Sequence, residues 1–333
     1  RRFSLHETTF KQALSEGFYQ RVCLIQGKSW SAQAEADYEQ EIRDVYLSAE
    51  DAAEELDCVP KRGSGAYFTR MLLEKCLDDS GQIVRLRKPA EFVLDANRLG
   101  VIRQWLADAV APLVAAMPTD RRSVFGQDFG RSGDLSVIWI LQEVRPGYWR
   151  TPLLLELRGI PFDCQQAIIF WLMDELPLFQ HAKFDARGNG QSHAEAAMQR
   201  KGASMVDMVM ASPGWYATQF PLYKKAYEDG ALKIPKSEDI IGDHRLVVLS
   251  KGNPTMAATR FKGSDGLPRH GDSAIAGLLA WAATQSEGPP AGTTIDPDIS
   301  RPVADLPESL LPRPRFGLGG RGLFRSLMGK RDV

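Results

Sequence analysis

Three runs rich in β-branched and aromatic residues follow one another after residue 122: SVFGQD, LSVIWILQEV and TPLLLELRGI. Only the short turns FGRSGD and RPGYWR separate them, a pattern that predicts an antiparallel meander. Beyond it the periodicity alternates. Helices are predicted at Phe162–Leu176, Ser192–Arg200, Trp215–Asp229, around Asp239–Val247, and at Asp272–Thr284. Between them lie the strand candidates AKFDA, MVDMVMA, Leu232–Ile234 and Ala257–Phe261. Three antiparallel strands followed by α/β alternation describe a mixed sheet covered on both faces. Residues 122–285 are therefore expected to form one α/β domain.

That pattern fits an RNase H-like fold, although other α/β folds are compatible with it. Composition agrees with a soluble globular chain. It is 44% hydrophobic and 25% charged, and its 7 Trp, 8 Tyr and 15 Phe argue against disorder over most of the length. The formal charge of −1 does not suggest a protein coated in nucleic acid. A local basic patch is enough, however, for an enzyme that grips DNA transiently. The four cysteines (Cys23, Cys58, Cys76, Cys164) lack metal-knuckle or redox spacing and read as thiols in a reducing compartment. No run of eighteen apolar residues is present, so no membrane span or membrane partner is expected.

The first 60 residues read as charged and helical. Thr9 or Thr8 is placed to cap a helix before Phe10, RVCLIQG reads as a short strand, and Ser31 caps a helix to about Asp44. Residues 61–121 read as a linker or subdomain, with a strand-and-turn passage in ELDCVPKRGSGAYF and a helix near Met71–Cys76. Strands at Ile83–Arg87 and Glu91–Leu94 and a helix at Leu99–Met117 follow. The chain opens RRFSLHETTF without Met, from which residues upstream of Arg1 are expected. From Ser286 onward 7 Pro and 7 Gly in 48 residues predict an extended or disordered tail. Its tip, 313–333, carries six Arg or Lys, suited either to nucleic acid or an acidic partner, or simply to solubility.

Three carboxylates stand out. Asp128 ends the first strand directly before FGRSGD, where it is either a buried acid needing a cation or the start of a solvated turn. Asp185 ends AKFDA before the tight turn RGNG, in which Asn189 and Gly190 suit positive φ and Ser192 is placed to cap a helix. Asp272 opens the helix in RHGDSAIAGLLAWAA, as an N-cap or as a third ligand. That helix is apolar on nearly every side, so it must be buried, and Gly277 would let it approach the sheet closely. Ends of neighbouring strands are where reactive groups converge in such sheets. Three carboxylates there could hold two divalent ions, Mg²⁺ or Mn²⁺, for phosphodiester hydrolysis. Asp134 is either a fourth ligand or a cap on the hairpin. His270 is a candidate to position or deprotonate water. Arg131, Arg187 and Arg269 each lie within three residues of a proposed ligand and are expected to contact DNA phosphates.

The segments FGQDFGRSGDLSVIWILQ (125–142), LLELRGIPF (154–162), KFDARGNGQSHAEAA (183–197) and RHGDSAIAGLLA (269–280) resemble the large terminase subunit of Mu-like phages and prophages. SLHETTFKQALSEGFYQRVC (4–23) and EELDCVPKRGSGAYF (54–68) are similar to the end of that family's motor domain. The resemblance covers most of residues 4–285 and implies an RNase H-like nuclease with Asp128, Asp185 and Asp272 as its metal-binding triad. It implies double-stranded phage DNA as substrate and cleavage during head filling. The small terminase subunit and the portal are the implied partners, and the place of action is the bacterial host cytoplasm, transiently at the prohead. The chain departs from the family in lacking G-x-x-x-x-G-K-[ST]: its one Gly-Lys-Ser, Gly27–Ser29, has no first glycine and runs into Trp30. Any motor core is expected upstream of Arg1, and no ATP hydrolysis from this chain alone. Two other functions fit the residues: a junction-resolving or recombination nuclease of the same fold, and a non-catalytic docking module between motor and portal.

Overall fold

The computed structural model describes residues 6–46, 49–59, 65–130, 135–188 and 190–286. All lie within the first of two compact units, Arg1–Ala291 and Gly292–Val333. The expected Pro/Gly-rich tail therefore falls outside the described residues, apart from Ser286. No helix among the described residues is long and apolar enough to cross a membrane.

The N-terminal part is helical: α1 (Phe10–Ser15), α2 (Phe18–Gln26), α3 (Ala32–Asp44), α4 (Ala49–Leu56) and α5 (Arg70–Glu74). Thr9 and Ser31 cap α1 and α3 as expected, accepting from the amides of Gln12 and Ala34. RVCLIQG is not a strand but part of α2; a short aliphatic run does not distinguish the two, and here only Cys23 is buried. Two strands follow, β1 (Leu77–Asp78) and β2 (Gln82–Arg87). The second expected strand, Glu91–Leu94, is instead a 3₁₀ turn, Ala90–Leu94. Helix α6 (Arg98–Trp105) continues through a π-helical turn, Leu106–Val110, into α7 (Ala111–Ala115).

The meander forms as predicted: β3 (Ser123–Asp128), β4 (Leu135–Arg145) and β5 (Tyr148–Arg158) pair antiparallel in sequence. Next come α8 (Phe162–Glu175), β6 (Phe179–Asp185), α9 (Gly190–Lys201), β7 (Val206–Val209), α10 (Pro213–Glu228), β8 (Leu232–Pro235) and α11 (Glu238–Arg245). Where one strand was expected at Ala257–Phe261, the chain makes two small hairpins. They are β9 (Val247–Ser250) with β10 (Asn253–Met256), and β11 (Phe261–Lys262) with β12 (Pro268–Arg269). Helix α12 (Asp272–Ala283) follows.

The main sheet runs β1-β8-β5-β4-β3-β6-β7, with β2 also pairing β5. Strands β6 and β7 are parallel to β3, so the β3–β7 core has the order 5-4-3-6-7 with only β4 reversed, the RNase H-like topology. Period-two alternation feeds two cores. Val137, Trp139 and Leu141 of β4 face α10, α11 and α12, while Ile138 and Ile140 face α6, α7 and α8. Every residue of α12 is buried, as its all-round apolar sequence requires. It lies on β3 and β4 almost without side chains between. A Cβ on Gly126 would stand 2.3 Å from the Ala276 carbonyl and 2.2 Å from the Ala280 amide, and Gly277 leaves the corresponding room for Trp139 and the Tyr223 hydroxyl.

Gly126→Ala should therefore destabilise the protein by about 1–3 kcal/mol, the usual range for overpacking, read as a lower urea midpoint. An unchanged midpoint would mean that helix and strand are not in contact there.

Candidate active site

Side-chain parity on two strands creates the site. Val124, Gly126 and Asp128 alternate onto the α12 face of β3, because Phe125 points into the opposite core. On β6, Phe184 belongs to that opposite core, so Asp185 also turns toward α12. The two strands are parallel neighbours and their last pair is Gln127–Phe184, so the two acids stand together at the same strand ends. Asp272, the first residue of α12, completes the group. Asp128 and Asp272 line a cleft of about 530 Å³ together with Arg187, Tyr216, Met256 and His270 among others, and Asp185 adjoins it behind Arg187.

The acids differ in their partners. Asp185 receives the Arg187 amide at 3.0 Å, its Nε at 3.0 Å and its Nη2 at 2.7 Å. Arg187 is itself steadied by the Tyr216 hydroxyl, 2.9 Å from Nη2. Asp272 Oδ1 lies 3.0 Å from His270 Nδ1. The Asp128 carboxylate accepts no hydrogen bond from any described residue; only its backbone carbonyl does, from the Ser136 hydroxyl at 3.0 Å. Burial, and then the charges of Asp272 and Asp185, push the Asp128 acid well above the usual carboxylate range, while His270 and Arg187 pull the other way.

Asp128, Asp272, His270 and Arg187 thus border one cleft, and Asp185 adjoins it through its contacts with Arg187. Asp134, Arg131 and Asn189 lie outside the described residues. Ser192 does not cap α9, which already begins at Gly190, and positive φ falls on Gly188. Arg269 requires a correction: it does not face the cleft. It is 1% exposed, with Nη2 2.8 Å from Glu156 and 2.6 Å from Asp243, and is consumed by those carboxylates rather than offered to phosphate. Sequence reading missed Tyr216 and Met256, which reach the cleft from α10 and β10. Nothing in PGWYATQF or GNPTM marks them.

Among the described residues no group of three His, Cys, Asp or Glu side chains is gathered at metal-ligand spacing. The chemistry of the donors nevertheless suits a hard divalent cation. Asp128 offers oxygens with no described hydrogen-bond donor and a charge that its surroundings disfavour. Asp272 stands opposite, and Asp185 is engaged by Arg187.

A carboxyl whose folded-state pKa is raised costs the native state nothing in acid, where both states are protonated. The cost appears as pH rises from the ordinary carboxylate range through the raised value. Asp128→Asn should thus raise Tm near neutral pH and give no gain at pH 3. Calorimetry across pH checks this, and a gain independent of pH would remove the electrostatic explanation.

No family model matches the chain. Two relatives do. The Mu-like prophage FluMu protein gp28 of Haemophilus influenzae is 36% identical over 289 residues, covering 86% of this chain and 56% of the relative. The probable terminase large subunit gp28 of Escherichia phage Mu is 32% identical over 291 residues, covering 86% and 53%. Similar solved structures include the large terminase nuclease from thermophilic phage G20c with bound magnesium, at 22% identity and a TM-score of 0.40, covering 49% of this chain and 82% of that one. The HK97 bacteriophage large terminase has 13% identity and a TM-score of 0.40, covering 76% and 50%. The chain spans about half the length of the curated relatives it matches, and it belongs to the Mu-like phage large terminase gp28 family.

Proposed function

We propose that the chain is a divalent-metal-dependent DNA endonuclease that cuts double-stranded phage DNA during packaging. The observation that carries this reading is that Asp128 and Asp272 line one cleft while Asp185 stands beside Asp128 at the adjoining strand end, three acids 57 and 87 residues apart in sequence. Nothing local unites them, and a structural role would not leave Asp128 without a hydrogen-bonding partner among the described residues. Two Mg²⁺ or Mn²⁺ ions held by these acids would supply an activated water and stabilise the leaving 3′ oxygen.

The chain's own groups supply the rest. Asp128 and Asp272 would hold the cations, whose charge would activate a water, with Asp185 as the third candidate ligand beside Arg187. Asp134 completes the set as a further ligand or serves as a hairpin cap. His270, anchored through Nδ1 on Asp272, orients the attacking water and takes its proton. Arg187, on the wall of the cleft, and Arg131 supply positive charge along the backbone of the duplex. Within the packaging apparatus the proposed partners are the small terminase subunit and the portal, and the place of action is the host cytoplasm.

Asp128→Asn, Asp185→Asn and Asp272→Asn should each stay folded by circular dichroism. Each should lose plasmid nicking in Mn²⁺ by about 100-fold or more, as expected when several kcal/mol of metal-borne charge stabilisation is removed. Asp134→Asn should do much less. Triad variants that nick as fast as the parent would favour the docking-module reading, and a strong preference for branched over linear duplex would favour the junction-resolving one.

Arg187→Ala should weaken duplex binding and flatten its salt dependence. Filter binding across a salt series measures this, and an unchanged slope would remove Arg187 from the DNA path.

A further inference from the structure

Behind the cleft lies a buried charge cluster that the proposed chemistry does not use. Arg269, Asp243, Glu156 and Asp239 are all at most 3% exposed. Arg269 bridges Glu156 and Asp243, and Arg85 closes the far side by binding Glu156 at 2.6 Å and Asp239 at 3.0 Å. Asp239 also accepts from the Ser264 amide and hydroxyl, at 2.8 and 2.6 Å. Holding so many charges in a protein interior is expensive, and well-packed apolar residues often serve stability equally well. The question is what the cluster secures.

Asp243, on α11, is the member that reaches the site. Its Oδ1 accepts the Gly271 amide at 3.3 Å, and its Oδ2 accepts the Ser273 amide at 3.2 Å and the Ser273 hydroxyl at 2.6 Å. Helix α12 has no capping side chain of its own, because its N-cap is Gly271, in the left-handed region at φ 95. A side chain there would be strained and would run into Met256. Asp243 therefore caps α12 from another helix. It ties down the residues on both sides of Asp272, and Arg269 fixes Asp243 in turn.

We propose that Asp243 is a positioning residue: by clamping Gly271 and Ser273 it sets where the Asp272 carboxylate stands relative to Asp128. This rests on the nuclease reading, with Asp272 as a metal-binding carboxylate. Asp243 touches neither cation nor DNA. It acts as the supporting shell of a metal site does, where loss of a partner typically weakens metal affinity or activity by about 10–100-fold.

The test uses the full chain and Mn²⁺ alone as probe, with free Mn²⁺ followed by electron paramagnetic resonance and plasmid nicking measured in parallel. Asp243→Asn keeps the shape but weakens the acceptor. It should reduce Mn²⁺ affinity about 10–100-fold and lower kcat while leaving KM for DNA unchanged. A merely structural role would lower the urea midpoint and leave the Mn²⁺ affinity of the folded protein intact, and that result overturns the proposal. Should D243N not fold, Ser273→Ala decides, since it removes only the 2.6 Å hydroxyl contact. Weaker Mn²⁺ binding in S273A supports the proposal and unchanged binding overturns it. A parent protein that neither binds Mn²⁺ nor nicks DNA defeats the nuclease reading itself, and this assignment with it. A parent that does both, beside a D243N that matches it, defeats this assignment alone.

Discussion

The backbone contact between α12 and β3 is the constraint on which the rest of the molecule depends. Gly126 brings the helix so close to the strand that Ala276 and Ala280 meet it through main-chain atoms. The pleat that turns Gly126 toward the helix also turns Asp128, two residues on, toward the helix start. Core packing and site geometry are thus one arrangement. Sliding the helix to relieve a clash in the core would move Asp272 away from Asp128 by the same distance.

Charge within the cleft is distributed unequally. Asp185 has a guanidinium wrapped around it and Asp272 has an imidazole beside it, whereas Asp128 has neighbours of its own sign. Like charges a few ångströms apart are costly where water is partly excluded. Asp128 is therefore where the protein gains most from an incoming proton or cation. Arg187, by contrast, is a cation already present, and Tyr216 keeps it in register with Asp185.

Much of this was legible in the chain, for reasons that can be named. The meander was readable because three runs rich in β-branched and aromatic residues are separated only by short turns. The placing of Asp128 and Asp185 at adjoining strand ends was readable because each closes a β-rich run directly before a tight turn. The failures are equally physical. RVCLIQG is too short for its composition to separate helix from strand, and the two hairpins of 247–269 carry little periodicity. Arg269 looked like a phosphate contact because nothing nearby in sequence reveals Glu156, Asp239 and Asp243, which arrive from β5 and α11. Tyr216 was invisible for the same reason, since its role exists only once α10 brings its hydroxyl to Arg187.

Strands β1 and β2 come from the segment ahead of the meander, yet β2 pairs with β5 along six residues, from Gln82–Leu153 to Arg87–Arg158. A fragment cut at Ser123 would leave that side of β5 with a row of unsatisfied amides and carbonyls beside an apolar face, which is the template on which sheets join edge to edge. Excising the domain at the apparent start of its own β-rich pattern would thus yield a sticky sheet rather than an independent folding unit. A workable minimal unit has to retain the upstream strands that shield β5.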